Sequence, residues 1–250
     1  MSDELQKIPS NPLAIPDYLK GVSGREGSEN VSSTDIILPR LSICQSTTPQ
    51  RKLDNSAYIK GLNDGDLFNT VSEENYGRTV EFIPLIFSKS RIYFRDLKEG
   101  GGILCQSLNG INGGRLAPVC ATCPKSQFTA EKAPECTNFM NFPSLILPHL
   151  ELLVASFKST ALKSAKQFLS RMDMFCQKVK KPYFASVYEL KIMPAKNSKG
   201  DFFGPTFTRK RWAEEKEFLV ALHHYNELKG KNIQTDEVSA EEVEGEQVPF

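Results

Sequence analysis

Histidine is scarce in this 250-residue chain: only His149, His223 and His224 occur. No H-E-x-x-H, G-x-x-x-x-G-K-[ST] or G-x-S-x-G is present. The common signatures of a zinc hydrolase, a P-loop phosphate site and a serine esterase are therefore missing. Acidic residues are also thin in the middle, where residues 78–211 hold nine Asp and Glu against 21 Lys and Arg. A two-metal nuclease needs clustered carboxylates, and none cluster there, so a non-enzymatic protein is expected. No apolar run reaches the ~18–20 residues of a membrane span. Met1-Ser2-Asp3-Glu4 shows no basic segment leading into an apolar one, so no secretory leader is expected. The chain is read as cytoplasmic, with its six cysteines reduced unless they hold a metal.

The formal net charge of +1 hides a segregation. Residues 78–211 sum to +12, which favours a polyanionic partner. Residues 232–250 carry six acids (Asp236, Glu237, Glu241, Glu242, Glu244, Glu246) and no Lys or Arg. That run ends in Val248-Pro249-Phe250, which adds a rigid turn, an apolar ring and a carboxylate. Together these are the parts of a peptide that docks into a basic-rimmed pocket.

Residues 1–35 are rich in Ser, Gly, Asn, Asp and Pro and read as a flexible arm. Short strands and turns are expected over 45–77. Thr79–Ser88 reads as a buried strand disturbed by Pro84. Ser88-Lys89-Ser90 reads as a turn into a second strand, Arg91–Arg95. Residues 98–142 form a Gly/Pro/Cys-rich insertion, and His149–Phe157 is a third strand. Ser159–Lys178 is a helix on the spacing of Ala161, Leu162, Ala165, Phe168, Leu169, Met172, Phe175 and Cys176, with Ser159 as its N-cap. Tyr183–Met193 and Phe202–Thr208 are strands flanking a turn at 197–201, and Trp212–Leu228 is a second helix. Five strands with a helix between the third and fourth is the order of an OB-fold barrel. The expectation is a mainly β fold with α: an OB-fold-like five-stranded barrel over 36–229, a cysteine-rich zinc insertion at 98–142, flanking helices, and an acidic tail at 230–250.

Cys105, Cys120, Cys123 and Cys136 all fall in the insertion. Cys120-Ala121-Thr122-Cys123 is a knuckle that points two thiolates at one ion, and the outer pair can complete a tetrahedron. A stretch so poor in aliphatic residues cannot build a core, so structural zinc would supply its stability. Free thiols or a redox pair are the alternative. Cys44 and Cys176 read as core residues.

Aromatic residues are interleaved with the cations. Bases stack on rings while cations follow the phosphates in single-stranded nucleic-acid binding, at roughly 1–3 kcal/mol per stacked base. The candidate residues are Arg91, Tyr93, Arg95, Lys158, Lys163, Lys166, Lys181, Tyr183, Tyr188, Phe202, Phe203, Arg209, Lys210 and Arg211. Alternation along a strand means that one ring of Tyr93/Phe94 and one of Phe202/Phe203 should enter the core.

The basic OB-like body, the cysteine-rich insertion and the acidic tail ending Val248-Pro249-Phe250 together resemble single-stranded DNA-binding proteins of bacteriophages. The last three residues are similar to the I-P-F ending of bacterial single-stranded DNA-binding proteins, although Gly245 and Gln247 interrupt the acids. The combination of zinc, OB fold and tail is similar to T4-type helix-destabilising proteins, which use a mixed His and Cys site. The resemblance implies a protein that coats and protects single-stranded DNA in phage replication and recombination in the host cytoplasm. It also implies that Glu242, Glu244, Glu246, Val248, Pro249 and Phe250 recruit replication and recombination proteins. A zinc-ribbon transcription or regulatory factor is the alternative, and a nucleic-acid-processing enzyme is a more distant one.

Overall fold

The computed structural model describes residues 38–96, 101–129, 132–197 and 200–231. The expected arm over 1–35 and the acidic tail from residue 232 onward lie outside them. Within them run β1 (Arg40–Ile43), β2 (Leu67–Asn69), β3 (Asn75–Gly77), β4 (Thr79–Pro84), β5 (Ser88–Phe94) and β6 (Ile103–Ser107). β7 (Thr137–Ile146) and β8 (Glu151–Phe157) follow, then α1 (Leu162–Val179), β9 (Ser186–Asn197), β10 (Gly200–Trp212) and α2 (Glu215–Leu228). The fold is mainly β with two helices. The strands form one open, mixed sheet in the order β10-β9-β4-β7-β8-β1-β2-β3, with β5 and β6 branching off β7.

Several boundaries differ from the expectation. Ser88, Lys89 and Ser90 are not a turn but the start of β5, and both β4 and β5 pair with β7. β4 and β5 are thus two stretches along the same partner strand, interrupted after Pro84, which has no N–H to donate. The insertion ends earlier than residue 142, because β7 begins at Thr137. Ser159 does not cap α1: it sits at φ +48 and opens a 3-10 turn, Ser159–Ala161, that leads into the helix. Trp212 closes β10 rather than opening α2. α2 is instead capped by Glu214, whose backbone N–H donates to Glu217 at 2.8 Å in a reciprocal capping box.

The central strands are apolar on both faces, and a two-residue period sorts them. Val80, Phe82, Met140, Phe142, Tyr188 and Leu190 face one way, onto Ala165, Phe168, Met172 and Cys176 of α1. Ile83, Leu85, Leu145 and Val187 face the other way and are covered by α2 through Ala221, Phe218 and Tyr225. Phe168 is the centre of the first layer: its ring stacks on Phe207 at 4.4 Å and meets Tyr188 edge-on at 5.2 Å. Burying each such ring contributes roughly 1.5–3 kcal/mol. Cys44, fully buried with Ile59, Leu62 and Phe68, and Cys176 are core residues, as expected.

A closed barrel of the expected kind would pair β8 with β10. Here the free edge of β8 takes β1 in parallel, Arg40 opposite Val154 and Leu41 opposite Ala155. β8 and β10 instead meet through side chains, with Phe157 edge-on to Phe207 at 5.3 Å. One side chain bridges the remaining gap. Gln45 accepts from the Phe203 N–H at 3.1 Å and donates from Nε2 to the Phe203 carbonyl at 3.0 Å. Its amide therefore does for Phe203 what a neighbouring strand would do.

Candidate nucleic-acid interface and cysteine centre

The branch of the sheet brings the cysteines together. β5 pairs with β6 on one side, Tyr93 opposite Cys105, and with β7 on the other, Ile92 opposite Thr137. Cys105 and Cys136 therefore approach from the two flanks of β5. Cys120 opens one 3-10 turn (Cys120–Thr122) and Cys123 precedes the next (Pro124–Ser126). The Cys123 N–H donates to the Cys120 carbonyl at 3.2 Å, and the Cys136 N–H to the Lys125 carbonyl at 2.9 Å, tying the knuckle to the start of β7.

All four thiols line a single cavity of about 20 Å³, room for about one water-sized sphere. Glycine permits this closeness: a Cβ on Gly114 would stand 2.8 Å from the Cys105 sulfur. Among the described residues no side chains stand as a ready-made metal cage; the shared cavity is what unites the thiols. Among the described residues no His, Asp or Glu lines it, so the donors on hand there are thiols. Burial pushes the Cys136 thiol up to about 11; Arg91 opposes the shift and the other three cysteines add to it. Beside the cavity, Glu135 receives Lys125 at 2.8 Å, Lys132 at 3.2 Å and the Tyr93 hydroxyl at 3.0 Å. These bonds, from Lys125 first, hold its carboxyl down at about 2.

A second cavity, of about 300 Å³, opens where β1 and β8 end beside the ends of β9 and β10. Phe139, Phe202 and Phe203 give it ring surface, Arg40 and Lys158 give it positive charge, and Asp201 adds a carboxylate. Lys158 lies over the Phe139 ring at 5.8 Å, and Arg78 over Phe203 at 5.4 Å. Gly65, at φ +84, lies beneath Phe203; a Cβ there would meet the ring at 2.6 Å. Gln50 also lines the cavity, and its side-chain carbonyl oxygen is buried with no hydrogen-bond partner among the described residues. An unpaired buried acceptor costs about 1–3 kcal/mol.

The structure divides the sequence candidates into groups. Lys158, Phe202 and Phe203 meet at the larger cavity. Both phenylalanines are half-buried there, and of the two it is Phe203 that packs against the main core. The expected division also holds for Tyr93 and Phe94: Phe94 packs with Ile92 and Phe139, and Tyr93 faces the other side. Arg91 and Tyr93 line the thiol cavity instead of the larger one. Lys163 and Lys166 are exposed on the first turns of α1, and Arg95 and Lys181 are exposed on loops.

Four further candidates have structural partners, as Tyr93 has in Glu135, and a fifth is core. Tyr188 is buried in the aromatic layer, which removes it as a stacking ring. Tyr183 donates its hydroxyl to Asp173 at 2.8 Å. Arg209 packs against the rings of both Phe175 and Trp212, each 4.4 Å away, and donates to Ser186 at 3.1 Å. Lys210 pairs with Glu189 at 3.2 Å. Arg211 grips Glu217 with two bonds of 2.7 and 2.8 Å. Sequence reading missed Arg40, Gln50 and Phe139; Phe139 lies far along the chain from the other two, and the sheet pairings bring it to them. The tail candidates Glu242, Glu244, Glu246, Val248, Pro249 and Phe250 lie outside the described residues.

Among the described residues no helix is long and apolar enough to cross a membrane. No curated protein and no solved structure matches the chain. A model of the family described as Pam3 phage gp34-like protein matches residues 9–133 and 144–234. These two segments cover most of the described fold, with the Cys120–Cys123 knuckle and all of the larger cavity's lining but Phe139, and the chain belongs to the Pam3 phage gp34-like protein family.

Proposed function

We propose that this phage-family protein binds single-stranded DNA without turning it over. The observation that carries the reading is the larger cavity, where rings from β7 and β10 and cations from β1 and the end of β8 converge. Rings that accept bases beside charges that accept phosphates are the working parts of single-strand binding. The strand order supports an OB-like reading. β4 with β5, β7 and β8 form a meander, α1 follows, and β9 returns to β4 before β10. An OB barrel places its ligand on the face of its second and third strands, near the loop joining the last two. The cavity lies beside β7, β8 and the ends of β9 and β10.

Cys105, Cys120, Cys123 and Cys136 would hold a structural zinc ion. Its charge would stabilise the thiolates that burial disfavours and fix a module with little core of its own. The acidic segment over 232–250 would compete for the basic body and recruit replication or recombination proteins in the host cytoplasm. One observation favours a second reading, a zinc-ribbon regulator: Ile111, Leu116, Val119 and Phe128 of the cysteine module are all exposed. Such a surface suits a module that itself touches a macromolecule.

Anisotropy titrations with labelled oligo-dT, oligo-rU and duplex at two salt concentrations test the reading, with zinc quantified on the same sample. Preference for oligo-dT over duplex, weakening with salt, is the expected result. Preference for a particular duplex would transfer the reading to the regulator, and metal-dependent cleavage would overturn the non-enzymatic assignment.

A further inference from the structure

Resting on the single-strand reading, we propose that the outer face of α1 is a track for the strand, with a base stacked on Trp212 and phosphates held by Lys163, Lys166, Arg171 and Lys178. The spacing of the four cations puts them on one face. They stand at i, i+3, i+8 and i+15, a stripe along the outside of the helix. Ala165, Phe168, Met172 and Cys176 are buried on the opposite side. All four cations are exposed, and among the described residues none meets a carboxylate. The one acid of the helix, Asp173, already accepts from the Tyr183 hydroxyl at 2.8 Å and the Gln177 amide at 2.7 Å. At 1.5 Å per residue the stripe is about 22 Å long, a length over which a strand presents several phosphates.

Trp212 closes β10 beside this stripe. A register shift between Arg209 and Arg211 decides where it points. Residues three apart on a regular strand face opposite sides of a sheet. The bulge instead brings Arg209 and Trp212 to the same side, that of α1. Arg209 lies 4.4 Å from both the indole and the Phe175 ring, and Phe175 meets the indole at 5.6 Å. These contacts brace the ring, yet Trp212 remains 48% exposed. A braced ring gives up little freedom when a base lies on it. Arg171 and Lys178 stand four residues before Phe175 and three after it, so they flank the place where it meets Trp212. Glu214, the acid nearest Trp212 along the chain, is engaged in the capping box of α2. A ring with a cation on either side matches a base and its neighbouring phosphates. A lipid surface takes a broad apolar face. Here the exposed apolar groups are Met174 and Trp212 alone among the side chains on or against α1, so the strand is the better match.

The full-length protein contains one tryptophan, so its indole emission reports on Trp212 directly. Titration with oligo-dT should quench that emission along the same curve as the anisotropy of the labelled strand. Arg171→Gln/Lys178→Gln should weaken binding and make the slope of log affinity against log salt shallower by about 1.4, for two phosphate contacts at about 0.7 each. Lys229→Gln/Lys231→Gln, an equal loss of charge beyond the end of α2, should leave the slope unchanged. Trp212→Ala should weaken binding by about ten-fold at an unchanged slope, because a stacked base releases no counterions. If that variant does not fold, the wild-type quench and the Arg171→Gln/Lys178→Gln slope decide. Suppose wild type binds oligo-dT, but its emission does not respond, or Arg171→Gln/Lys178→Gln keeps the wild-type slope, or folded Trp212→Ala binds as wild type does. Any of these makes the α1 track wrong and leaves the single-strand reading standing. Failure of wild type to bind oligo-dT overturns both. Emission that responds to phosphatidylglycerol vesicles and not to oligo-dT would give this face to a membrane surface and overturn the proposal.

Discussion

Gly65 shows how one absent side chain shapes the larger cavity. Its φ of +84 is strained for any other residue, and the Phe203 ring occupies the space a Cβ would need. Gly65→Ala should destabilise the fold by more than about 1 kcal/mol, measured by denaturant unfolding. It should also displace Phe203, so oligo-dT binding should fall by more than the loss of stability explains. Residue-scale reading of the sequence worked where chemistry depends on type and spacing. The C-x-x-C and the two cysteines that flank it do share one cavity, and Cys44 and Cys176 are buried. It failed where partners are distant. Nothing near Arg209 in the chain says that Phe175 of α1 will cover its guanidinium, so a structural cation reads as a ligand for phosphate.

At the scale of elements, β5 shows why boundaries slipped. Ser88-Lys89-Ser90 has the polarity of a turn, yet Ser90 is buried inside the sheet. There Asn141 donates to it at 2.9 Å and in turn accepts from Ser156 at 2.8 Å. A polar row that satisfies itself across three strands cannot be seen from one of them. The α2 terminus was hidden in the same way, since Glu217 serves both the capping box and Arg211. That pairing gives a pH prediction. The Arg211 hydrogen bonds hold the Glu217 carboxyl below the ordinary carboxylate value. A depressed carboxyl stabilises the folded state above its unfolded pKa and loses that contribution as pH falls through its folded value. Glu217→Gln keeps an oxygen for the cap but loses the charge. Its deficit in melting temperature should be full near neutrality and shrink as pH falls below the ordinary carboxylate range. The cysteine module gives a second prediction at this scale. Ile111, Leu116, Val119 and Phe128 are exposed, so the module has few apolar contacts to hold it. If the four thiols hold zinc as proposed, chelation should abolish amide exchange protection over 103–129 and leave that of α1, anchored by Phe168, unchanged.

At the scale of the whole molecule the charge is divided: +12 over residues 78–211 and six uncompensated acids over 232–250. Part of the basic excess is spent internally, since Lys125, Lys132, Lys210 and Arg211 all hold carboxylates. The charge available to a strand is therefore smaller than the composition indicates. If about four cations meet phosphates, the logarithm of affinity for oligo-dT should fall against the logarithm of salt with a slope of about −3. A body using all of the formal excess would give a far steeper line. Deleting residues 236–250 separates the body from the acidic segment. If that segment competes for the same cations, the truncated protein should bind oligo-dT as tightly as the full chain or more tightly. Its advantage should be largest at low salt, where exposed charges are least screened. The same deletion should abolish capture of replication or recombination partners. Loss of DNA binding on truncation would place the acids in the binding surface and refute their role as a competitor. A steep slope in both forms would show that the paired lysines and arginines release their carboxylates when the strand arrives.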